Sequence, residues 1–356
     1  MKKKYFFLTV LLLFVICSYL IGPLFPEFFT QIYNQKLYSY LDSFLHLISN
    51  IFPFSLGDVF YAVVVIYFIY RCFVLIKRKL YKDFGVFILT SVLLFFGIFQ
   101  LFWGLNNYKF SVAHQLELER NYTQTELDSI TSKLTSIVNS QHLLITKEDS
   151  LKKVVIEKNL ELFNKNAKLN YTKLPDHLKK ILTKNRINNV KPSFYSTLQS
   201  YTGFSGYFNP FTHENQVNIQ IPTIGMPVTV AHEMAHQLGI ASETEANFYG
   251  YKVLLQSTDL KFKYAANLYA LKYCLKQYKN ENEETYQLLF NRLNVGVRQN
   301  ILESEQFWQS KRNVSSYFFK HLYSRFLKIN NQKDGILSYN KFVDLLINYN
   351  KKYPEI

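Results

Sequence analysis

His232-Glu233-Met234-Ala235-His236 is the stretch that decides how the rest of this chain is read. One turn of α-helix takes about 3.6 residues, so His232 and His236 leave the helix on one face, close enough to share a tetrahedral zinc ion. Glu233 stands beside that face, where its carboxylate can act as general base on a water held by the metal. Upstream, Ile221-Pro222-Thr223-Ile224-Gly225-Met226-Pro227 is turn-like, and Pro227 or Thr229 suits a helix start; downstream, Gly239 can end the helix. The pattern predicts a helix over residues 227–238, largely buried because Val228, Val230, Ala231, Met234, Ala235 and Leu238 lie on it. Two core histidines bonded to backbone are the plain alternative, but a buried helix with two His and a Glu calls for a stronger reason.

A third ligand must come from elsewhere, and Ser242-Glu243-Thr244-Glu245-Ala246-Asn247-Phe248 offers two carboxylates just beyond Gly239. A second helix starting here would fold back over the first. Ser242 and Glu245 also have the Ser-x-x-Glu spacing of a capping box, which would engage Glu245 at the helix N-terminus. The HExxH motif followed by Glu-Ala-Asn and an aromatic resembles the gluzincin-type pattern of ImmA/IrrE-like metallopeptidases. That resemblance covers about residues 228–251 and implies Glu245 as the third zinc ligand, with Glu243 the next candidate. Gly239 also fits the metzincin pattern HExxHxxG, but that pattern wants a ligand where this chain has Ser242.

The 356 residues are 48% hydrophobic and 17% aromatic, a balance that points to membrane. Residues 5–25 and 84–103 contain no charge, and 59–76 has only Arg71, near one end; these are three expected transmembrane helices. The first has a basic leader in Lys2, Lys3 and Lys4, but its apolar run is too long for a signal peptide and lacks a small-x-small cleavage site. Lys77, Arg78, Lys79 and Lys82 fill the loop between the second and third helices, so this loop and the N-terminus are expected in the cytoplasm and the large C-terminal part outside. Residues 26–55, rich in Phe, Tyr and Leu, read as amphipathic helix on the outer membrane face or packed on the soluble domain.

The formal charge of +15 is spread thinly over the chain: residues 1–103 hold 9 basic and 4 acidic side chains, the remainder 32 and 22. Such a surface favours an anionic membrane or plain solvation, and nucleic acid is a poor partner for a domain outside the cell. Cys17, Cys72 and Cys274 imply no disulfide framework.

After residue 103 the soluble region opens with expected helices over 123–141, 147–169 and 174–183. A β-hairpin, 206–211 and 216–221, leads into the zinc helix; alternation of Val217, Ile219 and Ile221 with Asn218 and Gln220 suits a half-exposed edge strand on which a peptide substrate adds. His213 and Glu214, in its turn, are possible accessory groups but read better as solvated. Helices follow over 260–279, 283–293 and 304–327. The Asp-Gly turn within 330–341 lacks the closing Glu of a calcium loop.

The fold class expected is therefore mainly α, with a membrane domain over 1–103 and a zincin-like α+β domain over 104–356, mostly helical with a small antiparallel hairpin. This layout also resembles a family of bacterial membrane proteins known only as a domain of unknown function. The expected activity is zinc-dependent hydrolysis of peptide bonds outside the cytoplasmic membrane, with Glu233 catalytic and His232, His236 and Glu245 holding Zn²⁺; the implied partners are a peptide or protein substrate and the lipid bilayer. The alternative is a non-catalytic cell-envelope scaffold with a structural zinc, for which Glu233 would have no use. Three helices without paired intramembrane charges weaken a channel or transporter.

Overall fold

A computed structural model describes residues 2–332 and 339–354; most of the Asp-Gly turn noted above lies outside them. Near its N-terminus the chain forms α1 (Lys2–Ile21), a helical segment ending in α2 (Ser39–Ser49), α3 (Leu56–Lys77) and α4 (Tyr81–Phe102). Three of these, α1, α3 and α4, are long and apolar enough to cross a membrane. Their ends match the expected runs to within a few residues. Ser55 caps α3 by accepting a hydrogen bond from the Asp58 N–H at 3.0 Å. α4 packs against both α1 and α3, and apolar side chains such as Val63, Ile66 and Phe73 remain exposed around them.

Residues 26–50 form a collar joining the apolar helices to the rest. Its inner face is tied down by polar side chains: Tyr38 Oη donates to Gln237 O at 2.8 Å, and Asn34 Nδ2 donates to Asn106 Oδ1 at 2.8 Å. Its outer face leaves Tyr40, Phe44 and Leu47 exposed, so of the two readings of this segment the structure shows the packing on the soluble part.

The longer helices that follow are α5 (Gln124–Thr146), α6 (Leu160–Thr172), α7 (Ser196–Thr202), α8 (Met226–Gln237), α9 (Glu243–Leu255), α10 (Leu260–Glu281), α11 (Glu283–Asn291), α12 (Val295–Ser310), α13 (Val314–Ile329) and α14 (Tyr339–Lys352). α8 is the element they are arranged around: α6, α9 and α10 pack on it along with two strands, and nearly every side chain it carries is buried. Gly239 stops it with φ +81°, a conformation L side chains rarely adopt, and a Cβ there would also collide with Asn34 of the collar.

Two expected helices are corrected. The one over 147–169 starts only at Leu160; before it, Val154 and Ile156 are buried while Val155 is exposed, the period of two of an extended chain. Asn300 of α12 closes both backbone groups of Val154, accepting at 3.1 Å and donating at 2.9 Å, as a neighbouring strand would. The one over 304–327 is two helices, α12 and α13, because Asn313 caps the second by accepting from Ser316 N at 3.0 Å.

The sheet is also rearranged. β2 (Gly206–Asn209) and β3 (Glu214–Val217) are antiparallel with Tyr207 opposite Gln216, and β1 (Lys191–Pro192) joins β3 in parallel, giving the order β1-β3-β2. β3 is thus central and buried, and ends at Val217, so the half-exposed edge expected over 216–221 is not there; the edge beside α8 is β2. His213 and Glu214, expected in solvent, are buried anchors. Glu214 accepts from Lys191 Nζ and Gly57 N, both at 2.6 Å, and from Thr212 Oγ1 at 2.9 Å. His213 Nδ1 meets Asp42 Oδ1 at 3.0 Å, His46 Nδ1 meets Asp42 Oδ2 at 3.2 Å, and His46 Nε2 meets the His213 carbonyl at 2.7 Å. These bonds lock the hairpin to the collar and to the start of α3.

Candidate metal centre

Helical spacing puts His232 and His236 on one face of α8, and their Nε2 atoms lie 3.1 Å apart. His236 Nδ1 is held by the Ile240 carbonyl at 2.7 Å, which fixes the proton on Nδ1 and leaves the Nε2 lone pair pointing at the shared space. The chain turns at Gly239 and enters α9 at Glu243, whose carboxylate faces both rings: Oε2 is 3.3 Å from His232 Nε2 and Oε1 is 3.7 Å from His236 Nε2. Burial would raise Glu243, but the imidazoles of His236 and His232 outweigh it and hold the carboxyl well below the usual range. Burial disfavours the charged form of His236 too, yet Glu243 prevails and raises it to about 9.

The residues fit zinc. Ligand atoms ~2.05 Å from one ion at near-tetrahedral angles lie about 3.3 Å from each other, close to the spacing of these three donors. Two imidazole lone pairs this near each other need a proton or a cation between them. Glu233 completes the group: its ligand atom and those of His232 and His236 all lie within 4.8 Å of one another. It is buried, its Oε2 has no hydrogen-bond partner, and burial raises it to about 7 against the pull of the two imidazoles. Gly206 of β2 makes room for it, since a Cβ there would come within 2.6 Å of Glu233 Oε1.

The structure brings His232, Glu233 and His236 together as the motif implies, and it adds Glu243 rather than Glu245. Two residues on a helix are about 200° apart, so the two carboxylates of α9 leave on opposite sides. Glu245 is buried elsewhere, accepting from Val112 N at 2.6 Å beside Lys109 and bordering a separate cavity of about 330 Å³. Nor does it form the capping box weighed as the alternative to a ligand role, since Ser242 makes no side-chain cap bond.

Two neighbours were invisible in the sequence pattern. Tyr323 of α13 donates to Glu243 Oε1 at 2.6 Å, orienting the carboxylate; burial and then the charge of Glu243 keep the phenol protonated, its pKa well above the ordinary value. Trp103, directly after α4, packs edge-on to His236 at 5.9 Å and donates from Nε1 to the His236 carbonyl at 3.4 Å. The motif stands 129 positions beyond the end of the last apolar run in sequence, yet in space it abuts the end of α4.

His232, Glu233, His236 and Glu243 all line one open cleft of about 1030 Å³. Its floor includes β2; one wall is formed by the ends of α3 and α4, through Tyr61, Phe95 and Phe99, and the opposite wall by α13. Lys272, Lys311, Arg312 and Lys320 also line it.

A family model described as "Protein of unknown function (DUF3810)" matches residues 33–347, and the chain belongs to that family. No curated protein and no solved structure matches.

Proposed function

We propose that this DUF3810 protein is a membrane-anchored zinc metallopeptidase acting on peptide chains outside the cytoplasmic membrane. His232, His236 and Glu243 would hold the ion, Glu243 taking the place that the local resemblance assigned to Glu245. When bound, zinc would supply a Lewis acid and the acidification of a water. Glu233 accepts the proton released when the peptide carbonyl is attacked and carries it to the leaving amine; its burial tunes the carboxylate toward neutrality, where a base can also serve as an acid. Tyr323 keeps the Glu243 carboxylate turned to the imidazoles, and the open edge of β2 offers backbone groups to an extended peptide.

The observation that carries this reading is the convergence of three donor atoms beside a buried carboxylate that has one unpaired oxygen, all facing an open cleft. A purely structural zinc is closed on four sides and has no use for such a neighbour. The anchoring and its orientation are supported by α1, α3 and α4 and by charge: the metal centre adjoins the end of α4 that is opposite the basic residues Lys77, Arg78, Lys79 and Lys82.

The test is Glu233→Gln in the full-length protein, with zinc content and hydrolysis of a broad peptide library measured together. Zinc should stay bound while kcat falls by roughly 10²-fold or more. Full activity in the variant would remove Glu233 from the chemistry. Zinc without hydrolysis in the parent protein would favour the scaffold reading.

A further inference from the structure

α13 has two apolar faces and only one is covered. Phe319, Tyr323, Phe326 and Leu327 look into the cleft. On the other side Val314, Phe318 and Leu322, spaced four residues apart, form a bare stripe; Val314 is 87% and Phe318 61% exposed. No acidic residue occurs from Lys311 to Ile329, whereas Lys311, Arg312, Lys320, Arg325 and Lys328 do. A helix of this kind matches the surface of an anionic bilayer, with its apolar stripe among the acyl chains and its cations at the headgroups.

Its position agrees. The C-terminal end of α13 rests on the ends of the apolar helices: Phe326 packs on Phe99 at 5.3 Å, and Asn330 accepts from Tyr19 Oη at 3.2 Å and from Gln100 Nε2 at 3.4 Å. α7, which packs against α13, begins at the other apolar helix; just before it, Phe194 N donates to Asp58 Oδ2 at 2.7 Å, and Tyr195 Oη donates to the Asp58 carbonyl at 2.9 Å. Phe194 and Leu198 are exposed there. The two helices that flank the cleft therefore both start or end at the level where α1, α3 and α4 meet the soluble part, and the wall between them is made of Tyr61, Phe95 and Phe99.

We infer that α7 and α13 rest on the outer surface of the membrane, so that the cleft opens onto lipid and takes a polypeptide tethered to that same membrane. The substrate class rests on the peptidase reading; the membrane contact does not. A free peptide would have to enter a mouth bordered by bilayer, whereas a chain anchored nearby is already held at its level, a gain of effective concentration without any new contact.

Full-length zinc-loaded protein in vesicles of phosphatidylcholine and phosphatidylglycerol provides the test, with Cys17 and Cys72 changed to serine. A fluorophore placed by Phe318→Cys should be quenched by brominated lipid and shielded from aqueous iodide, while one placed by Gln287→Cys on α11 should show the reverse. Iodide quenching at both positions overturns the membrane contact, as does shielding at position 318 that depends on protein density rather than on lipid, which marks a second copy. One peptide library is then presented free and coupled to an acyl chain in the vesicle. The tethered form should be cleaved about tenfold faster or more. Val314→Ser with Phe318→Ser and Leu322→Ser should abolish that advantage without changing the rate on free peptide. Equal rates in the parent protein overturn the substrate class; cleavage of neither form removes the peptidase reading and the substrate with it, and the quenching result still decides the contact.

Discussion

Two clusters in this molecule are built from a pair of histidines and a carboxylate, and they behave as opposites. In the Asp42, His46 and His213 cluster both Nδ1 atoms meet the Asp42 carboxylate, His46 Nε2 meets a backbone carbonyl, and all three side chains are buried. In the His232, His236 and Glu243 cluster the two Nε2 atoms face each other, the carboxylate faces both, and the group opens to the cleft. Residue type does not separate a clamp from a candidate metal centre. What separates them is whether each ring nitrogen is turned to an oxygen acceptor or two of them are turned to each other and to one shared carboxylate.

The largest effect that could break this contrast concerns the third ligand. Glu243→Ala should weaken zinc binding by ~10³-fold or more, because one of three donors is lost, and Glu245→Ala should leave zinc bound. Metal titration of both variants decides it, and the opposite result would return the role to Glu245. Asp42→Ala should act on the other cluster: it leaves the Nδ1 atoms of two buried imidazoles without their carboxylate and should cost about 3 kcal/mol of stability, read as a lowered Tm, with zinc affinity of the folded protein unchanged.

Tyr323→Phe removes only the hydrogen bond that orients Glu243 and should weaken zinc by about tenfold, without the collapse expected of a ligand variant. The smallest effect is on pH. Burial lowers His213 from 6.5 in spite of Asp42, so the unfolded chain takes up a proton that the native protein refuses. Burial would raise Asp42, but bonds from His213 and His46 hold it below 3.8. Both contributions are present at neutral pH; the first is lost as pH falls below 6.5 and the second only as it falls below 3.8. Thermal melts of zinc-saturated protein should show the first decline in the parent and a weaker one in His213→Gln.

The apolar helices and the site helix were legible because each is announced by local order: an uncharged run, a proline at the start, a glycine at the stop, histidines one turn apart. The choice between Glu243 and Glu245 was not, since both lie on the same helix and only the packing of α9 on α8 decides which side faces the two imidazoles. His213 and Glu214 looked solvated for a similar reason. A turn at the tip of a hairpin is exposed unless another part of the chain covers it, and the part that does so, the collar, lies over 150 residues earlier. Val154 and Ile156 were misread because apolar residues two apart also fit a sparse helical pattern until Asn300 is known to seal their backbone. Tyr323 and Trp103 carry no signal at all in one dimension.

The bonds from Tyr38 to the Gln237 carbonyl and from Trp103 to the His236 carbonyl have a consequence for how the molecule is made. These two braces of the histidine helix belong to the first third of the chain, which leaves the ribosome first. In the orientation proposed here, that third is already threaded through the bilayer when α8 is synthesised, so the histidines meet their braces only after export. A nascent chain stalled in the cytoplasm would carry the full motif without these two braces, and the hydrolase proposed here would be completed only in the compartment where its substrate resides.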